Sequence, residues 1–590
     1  MSTEAPVYTS RDAIPDAYKW DLSRIFPDQA AWKAACDRIL EGVNGYAALR
    51  GTLAQGPQQL LAAYRLEDEL GQLSYKVWYY VSLRADEDLR DNSVGALQQQ
   101  AQMLFVRWRQ AAAWFGPELL SIPLATVRGW MDTTPDLALY RFAIEELYRQ
   151  QEHVLDEKGE RLMALTGRLS SSPSEAYNAL STADVKFPTI TLHDGHEVTV
   201  TPAQYQAILT NNRNQEDREA ATRAYLALFS ASSNTYAALY DGVLRRDWFH
   251  AQARGYATTR ANVAPLQRYH RLRKKALGLD RYSSSDTMLP IMDRPGHYPY
   301  DEVLDWLEES VAPLGSSYQA ELRTALRGRY VDVYETPGKR SGAYSAPVYG
   351  VHPYMLMNYN ATLDAVFTLA HEMGHTMHTL LAHRAQPFVY AGYTIFVAEV
   401  PSTLNEALFL DLMMKRTTDP RDRIMLLEHA IDSIVGTFFS QVMFADFELE
   451  AHRMVERDEP VTADSLGTLY RSVRDAYLGD AVDTHELVGA SWSRIPHFFG
   501  SPYYVYQYAT CFASSAALMA HIRSDDPQVR AEGVSRYLGL LEAGGSDHPM
   551  TLLRRAGVDL SQPETVRAVI DRMDELVSQL ETELASLGTP

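Results

Sequence analysis

Residues 367–377 read Phe367-Thr368-Leu369-Ala370-His371-Glu372-Met373-Gly374-His375-Thr376-Met377. Asn360 or Thr362 is placed to cap a helix carrying this stretch. Leu363, Val366, Phe367, Ala370, Met377, Leu380 and Leu381 would give that helix an apolar face. His371 and His375 are four residues apart, so both imidazoles share one helix face, one turn apart, within reach of a single metal ion. Glu372 sits beside the first histidine and can reach a metal-bound water. The spacing is that of the His-Glu-x-x-His zinc peptidases. Gly374 costs a helix about 1 kcal/mol relative to alanine, so a close neighbour is expected against it.

Catalytic zinc takes three protein ligands and leaves a fourth position for water. Six residues beyond His375 stands Leu381, which rules out a third histidine at the metzincin spacing. His378 points about 100° round the helix from His375 and reads as a packing or hydrogen-bonding residue. A carboxylate from a following helix is the better third ligand. The run Val397-Ala-Glu399-Val-Pro401-Ser-Thr-Leu-Asn-Glu406 offers two, seven residues apart. On one continuous helix they share a face, one for the metal and one to hold a ligand histidine. Spacing does not decide which, and Pro401 allows a helix start between them.

Outward from this centre the chain is mainly α. Between Gln58 and Gly116 there is no proline. Leu60, Leu61, Tyr64, Leu70, Leu73, Val77, Tyr80 and Val81 recur at helical spacing. A second run from Leu97 to Phe115 should stop at Gly116-Pro117, and a third extends from Leu139 to about Leu180. Alternation around His193-Asp194-Gly195-His196 predicts a β-hairpin. That change of pattern divides the chain into an N-terminal helical part, 1–200, and a catalytic part, 201–590; a surface hairpin within one continuous domain is the other reading. Helices resume over Ala203–Leu209 and Asp217–Leu244. A Gly- and Tyr-rich stretch, 334–360, supplies short strands, Tyr354–Tyr359 among them. From Thr362 onward the sequence is helical again.

Composition agrees with a soluble globular chain. Of 590 residues, 46% are hydrophobic and 22% charged, and the net charge is −20. That charge, with no basic run to offset it, argues against a nucleic-acid partner. It serves solubility, or favours cationic peptides. The N-terminal residues do not read as a secretory signal, and no apolar run is long enough to span a membrane. Two cysteines, Cys36 and Cys511, make no disulfide framework. A cytoplasmic protein without membrane contact is expected.

His-Glu-Met-Gly-His followed by Ala-Glu399-Val-Pro-Ser resembles the oligoendopeptidase F branch of the thimet-oligopeptidase-like zinc metallopeptidases. Three other stretches are similar to that branch: Tyr18-Lys-Trp-Asp-Leu22, Gly338-Lys339-Arg340-Ser341-Gly342-Ala343-Tyr344-Ser345, and His497-Phe-Phe-Gly-Ser-Pro-Tyr-Tyr504-Val-Tyr506-Gln-Tyr508. The resemblance implies a bilobed, mainly helical fold with a deep substrate channel and a small β element near the active site. It implies one zinc ion per chain on His371, His375 and Glu399, with Glu406 supporting a ligand. It implies Glu372 as general base and His497 with Tyr504 or Tyr508 as donors to the oxyanion. Short unfolded peptides, cut internally, are the implied substrates.

Two further expectations concern binding. Tyr354–Tyr359, as an exposed strand edge, would pair with a peptide backbone; the alternative is an ordinary internal strand. Gly342 would let its loop approach the substrate. An exopeptidase of the same class would instead need a charged anchor for a chain end, for which Lys339, Arg340 and Arg494 are candidates. A non-catalytic peptide-binding scaffold would be expected to lack the general base or a ligand, and all are present.

Overall fold

The apolar stripes fold as helices. In the computed structural model, which describes residues 8–151, 172–252, 263–292 and 296–588, the first long helix of the proline-free stretch runs over Pro57–Glu87. Its first half buries Leu60, Leu61 and Tyr64 against Trp114, Leu119 and Val127. Its second half buries Val77, Tyr80 and Val81 against Trp32 and Ile39 of the preceding helix, Gln29–Ala48. The next helix, Asn92–Ala112, ends before Gly116-Pro117. Those two residues lie instead in the first turn of a short helix, Phe115–Leu120, where the missing proline N–H has no intrahelical partner to lose. Of the run expected to reach Leu180, Arg141–Arg149 and Ser172–Asn178 are helical; residues 152–171 lie outside the described residues.

The expected hairpin forms between β1 (Thr189–Thr191) and β2 (Glu197–Thr199), which pair antiparallel. Gly195 takes φ +87° at the turn. Ile190, Leu192, Val198 and Val200 pack on Ile208 and Ala221 of the two helices that follow, Pro202–Asn211 and Gln215–Ala231. The chain divides into two compact units, interleaved in sequence. One comprises Met1–Thr166, Pro295–Leu412 and Leu518–Asp559; the other comprises Gly167–Arg294, Met413–Ala517 and Leu560–Pro590. These differ from the consecutive segments 1–200 and 201–590, because the hairpin at that boundary shares its apolar face with the helices after it.

Within the first unit, β3 (Val331–Asp332), β4 (Tyr344–Ala346) and β5 (Tyr354–Leu356) form a sheet in the order β3–β5–β4. β5 runs parallel to β3 and antiparallel to β4. Tyr354 and Leu356 join Ala346 in the core shared with the N-terminal helices. Ser345, on the other face, meets Thr376 of the helix Leu363–Ala385 at 2.9 Å between hydroxyl oxygens. β5 is therefore the central strand, paired on both sides and buried throughout. The expectation that it offers an open edge is overturned in favour of the internal strand, because β3 and β4 pair with its two sides.

Behind the sheet lies a buried charge network. Asp332 meets the Lys339 ammonium at 2.8 Å and the Arg11 guanidinium at 2.5 Å. Lys339 also donates to the carbonyls of Tyr334 and Met357. Glu87 accepts from Arg11 and from the Trp20 indole, which ties the Tyr18–Leu22 stretch to the end of the long helix. Lys339 is thus committed to the fold and is not a substrate anchor. Among the described residues, no helix is long and apolar enough to cross a membrane.

Removing one partner of a buried ion pair leaves the other charged and unpaired. Lys339→Met is expected to lower unfolding free energy by about 3–5 kcal/mol, read from chemical denaturation. A loss under about 1 kcal/mol would show that Arg11 alone satisfies Asp332.

Candidate metal centre

Thr362 caps the helix Leu363–Ala385, its hydroxyl accepting from the Ala365 N–H at 3.2 Å. Asn360 buttresses the cap by accepting from the Thr362 hydroxyl at 2.7 Å. The helix is buried on more than one stripe: Met373, Thr376, His378 and Thr379 are enclosed along with Val366, Phe367, Ala370 and Met377. Its histidines, His371 and His375, stand one turn apart with ring centroids 4.9 Å apart.

The second element is the helix Ile395–Arg416. It begins six residues before Pro401 and runs through it, so Glu399 and Glu406 lie on one helix after all. The two helices cross at Gly374. A Cβ on Gly374 would stand 2.4 Å from the Pro401 carbonyl oxygen and 2.5 Å from the Ser402 Cα. This is the close neighbour expected from a glycine in mid-helix. Asn405 fastens the crossing by donating to the Ala370 carbonyl at 3.3 Å.

That approach brings the carboxylates to the histidines with different contacts. Glu399 Oε2 lies 3.2 Å from His371 Nε2 and 3.3 Å from His375 Nε2. Glu406 Oε1 lies 2.6 Å from His371 Nδ1. A carboxylate only accepts, so Nδ1–H is the donor there, and Nε2 is the ring nitrogen left to face Glu399. The Ser402 hydroxyl donates to Glu399 Oε2 at 2.9 Å. Among the described residues, His371, His375 and Glu399 are the group whose ligand atoms converge on one point, all within 4.8 Å of one another.

Two tests show that a metal ion fits. Tetrahedral coordination with arms of roughly 2.0–2.1 Å separates ligand atoms by roughly 3.3 Å, which is the spacing from Glu399 Oε2 to both imidazoles. The charge balance agrees. Burial alone would lower the pKa of His371, yet Glu399 and Glu406 outweigh it and push the imidazole well up. The pocket therefore calls for positive charge, which a proton or a cation supplies. Glu372, one residue on, is buried, and burial raises its carboxyl despite the neighbouring imidazoles. Its Oε2 has no hydrogen-bond partner among the described residues.

His378 packs, as its position on the helix implied. Its ring stacks on Tyr393 with centroids 3.5 Å apart, and burial holds the imidazole neutral, well below its usual range. Tyr393 also meets the Thr379 hydroxyl at 2.9 Å and donates to the His375 carbonyl at 3.5 Å, fixing the last turn of the histidine pair. Sequence reasoning missed Ser402 and Tyr393. Ser402 lies three residues beyond Glu399, a spacing that puts its hydroxyl within reach of that carboxylate. Tyr393 lies outside both helices and gave no periodic signal.

In the second unit, His497 stands on a short helix, Pro496–Gly500, and Tyr508 on the helix Val505–Ile522. Tyr504 lies between them. Its ring centroid is 5.3 Å from His497 and 5.1 Å from Tyr508, so the three rings form one cluster. Burial pushes the His497 imidazole below its usual range. Tyr506 is 40% exposed.

The chain resembles known peptidases over nearly its whole length. The family model for peptidase family M3 matches residues 306–571, and that for oligopeptidase F matches residues 118–187. Oligopeptidase PepF of Bacillus subtilis is 34% identical, the match covering 95% of this chain and 86% of that protein. The plasmid-borne oligoendopeptidase F of Lactococcus lactis subsp. cremoris is 31% identical over 97% of this chain and 98% of its own. The crystal structure of oligoendopeptidase-F from Enterococcus faecium superposes with a TM-score of 0.73 at 27% identity, covering 94% of this chain and 99% of that one.

Two substitutions separate the roles of this geometry. Glu406→Ala removes the acceptor that orients His371 and is expected to weaken metal affinity about 10- to 100-fold, measured by competition with a chelating dye. Gly374→Ala forces the helices apart and is expected to cost about 1–3 kcal/mol in stability and to weaken metal binding as well. An alanine variant with unchanged melting and unchanged affinity would contradict the close crossing.

Proposed function

Because the chain belongs to peptidase family M3, on its oligopeptidase F branch, and so is a metallopeptidase that hydrolyses peptide bonds, we propose that it is a zinc-dependent endopeptidase cutting internal bonds of short, unfolded peptides. The observation that carries this reading is the pairing of a three-donor cluster with a buried, unpartnered Glu372 oxygen on the same helix. The His/His/Glu donor set favours zinc among divalent ions.

His371, His375 and Glu399 would hold the metal. Zinc so held would supply Lewis acidity, to lower the pKa of a water toward neutrality and to polarise the scissile carbonyl. Glu406 keeps His371 in the tautomer whose Nε2 is a ligand. The Ser402 hydroxyl fixes the orientation of the Glu399 carboxylate. Glu372 takes the proton of the attacking water and hands it to the leaving amine. His497 and a tyrosine hydroxyl, Tyr504 or Tyr508, donate to the oxygen that becomes negative; each such donor is worth about 100- to 1000-fold in turnover.

Endopeptidase action is favoured over trimming of chain ends by the oligoendopeptidase relatives. Of the candidate anchors, Lys339 is buried against Asp332, Arg340 pairs with Asp86 at 3.3 Å, and Arg494 is exposed. The peptide substrates, and two cysteines, Cys36 and Cys511, that form no disulfide among the described residues, suit a cytoplasmic role.

Peptides blocked at both ends are the test, with products read by mass spectrometry. Wild type should make internal cuts that a chelator abolishes and zinc restores. Glu372→Gln should bind metal normally and lose at least about 100-fold in turnover. If blocked peptides survive while free ones shorten from an end, the enzyme is an exopeptidase.

A further inference from the structure

The turn that delivers Tyr504 is strained, and a neighbouring helix grips it. The Tyr504 N–H donates to the Ser501 carbonyl at 3.2 Å, closing a four-residue turn, Ser501-Pro502-Tyr503-Tyr504. Proline suits its second position. The third, Tyr503, has φ +58°, a conformation that this kind of turn normally assigns to glycine or asparagine. A bulky aromatic residue there is a backbone outlier, and such outliers persist only where surrounding groups impose them.

Those groups come from the helix Ser440–Glu456. Glu448 is 2% exposed, and its Oε1 accepts from the Tyr503 N–H at 3.0 Å. One turn later, the His452 ring lies against the Tyr503 ring with centroids 4.6 Å apart. His452 Nδ1 donates back to the Glu448 carbonyl at 2.8 Å, which fixes the imidazole. One helix therefore holds both the backbone and the ring of Tyr503. The residue that follows packs its own ring between His497 and Tyr508.

We propose that Glu448 is a positioning residue, which with His452 holds the Ser501–Tyr504 turn in its strained form so that the Tyr504 hydroxyl is fixed before substrate arrives. The inference rests on the reading of the tyrosine cluster as oxyanion donors. A donor preorganised in this way loses nothing to reorientation during the reaction, and a misplacement of about 1 Å is enough to cost about 100-fold. The carboxylate serves here as an acceptor, so a carboxamide in its place keeps the contact.

Steady-state kinetics on one blocked peptide, with melting and metal content measured for every variant, provide the test. Glu448→Ala should lower kcat about 10- to 100-fold with KM within about twofold, while Glu448→Gln stays within about threefold of wild type. Tyr503→Gly added to Glu448→Ala should recover part of the loss, because glycine takes this φ without strain. Glu448→Ala added to Tyr504→Phe should cost little more than Tyr504→Phe alone, since the hydroxyl it positions is gone. Amide hydrogen exchange should show Tyr503 protected in wild type and in Glu448→Gln, and exposed in Glu448→Ala. A slow Tyr504→Phe beside a Glu448→Ala of wild-type kcat, or losses that multiply fully in the double variant, overturns the proposal. If Tyr504→Phe and Tyr508→Phe both turn over at the wild-type rate, the donor reading itself fails, whatever the exchange data show.

Discussion

At Gly374 the histidine helix presents bare backbone, and the Pro401 carbonyl sits where a side chain would otherwise begin. Few contacts between helices are this close, since interhelical distances are normally set by side chains. The consequence is a matter of reach. A glutamate has three side-chain bonds with which to meet an imidazole, and Glu399 and Glu406 lie seven residues apart. Both can touch the histidines only if their helix passes close, midway between them. Gly374 lies between His371 and His375, and Pro401-Ser402 lies between Glu399 and Glu406. The crossing therefore falls inside both pairs. Its location gives Glu399 the Nε2 atoms of both rings and Glu406 the Nδ1 atom of one.

How the chain treats charge elsewhere makes the centre distinct. In the first unit, Asp332 is enclosed by Lys339 and Arg11. In the second, the buried Arg273 guanidinium bonds Glu428 and two tyrosine hydroxyls, and Glu428 also accepts from the Ile291 N–H. Those carboxylates have been given cations or donors, as burial requires. The candidate metal centre gathers three, Glu372, Glu399 and Glu406, around two imidazoles, and leaves a Glu372 oxygen without a partner among the described residues. Such an arrangement stores a demand for positive charge and for a proton donor. Held so close to two imidazole nitrogens, that demand is one a bound cation would meet.

Much of this was legible in the sequence because its causes are local. Helical periodicity located the long helices, Asn360 or Thr362 announced the start of the histidine helix, and four-residue spacing put two imidazoles on one face. Gly374 signalled a close neighbour without identifying it. What stayed hidden depends on long-range pairing. Nothing within Tyr354–Leu356 reveals its partners, and β3, which ends 22 residues upstream, pairs with the side that β4 leaves open. Lys339 looked available for substrate because nothing near it in sequence reveals Asp332 or the carbonyls around its ammonium. Pro401 read as a break, since a proline within a helix normally costs one; here it occupies the second turn, at the one point where backbone meets backbone. Glu399 and Glu406 were equivalent by spacing, and the crossing alone differentiates their contacts.

The tyrosine turn and the helix crossing apply the same constraint by opposite means. Gly374 removes a side chain so that two backbones can approach. Tyr503 keeps a side chain where glycine would be easier, and its ring and N–H then give Glu448 and His452 something to hold. A glycine at Tyr503 would take the same φ without strain, but it would give His452 no ring to hold and so restore only part of the turn's rigidity. The rigidity comes from the contacts that impose the strain. In both places a residue poorly suited to its local conformation is retained because a tertiary contact uses it. Local propensity and three-dimensional requirement disagree at these two positions, both beside the residues assigned to chemistry. That is where a folded enzyme is expected to carry its conflicts.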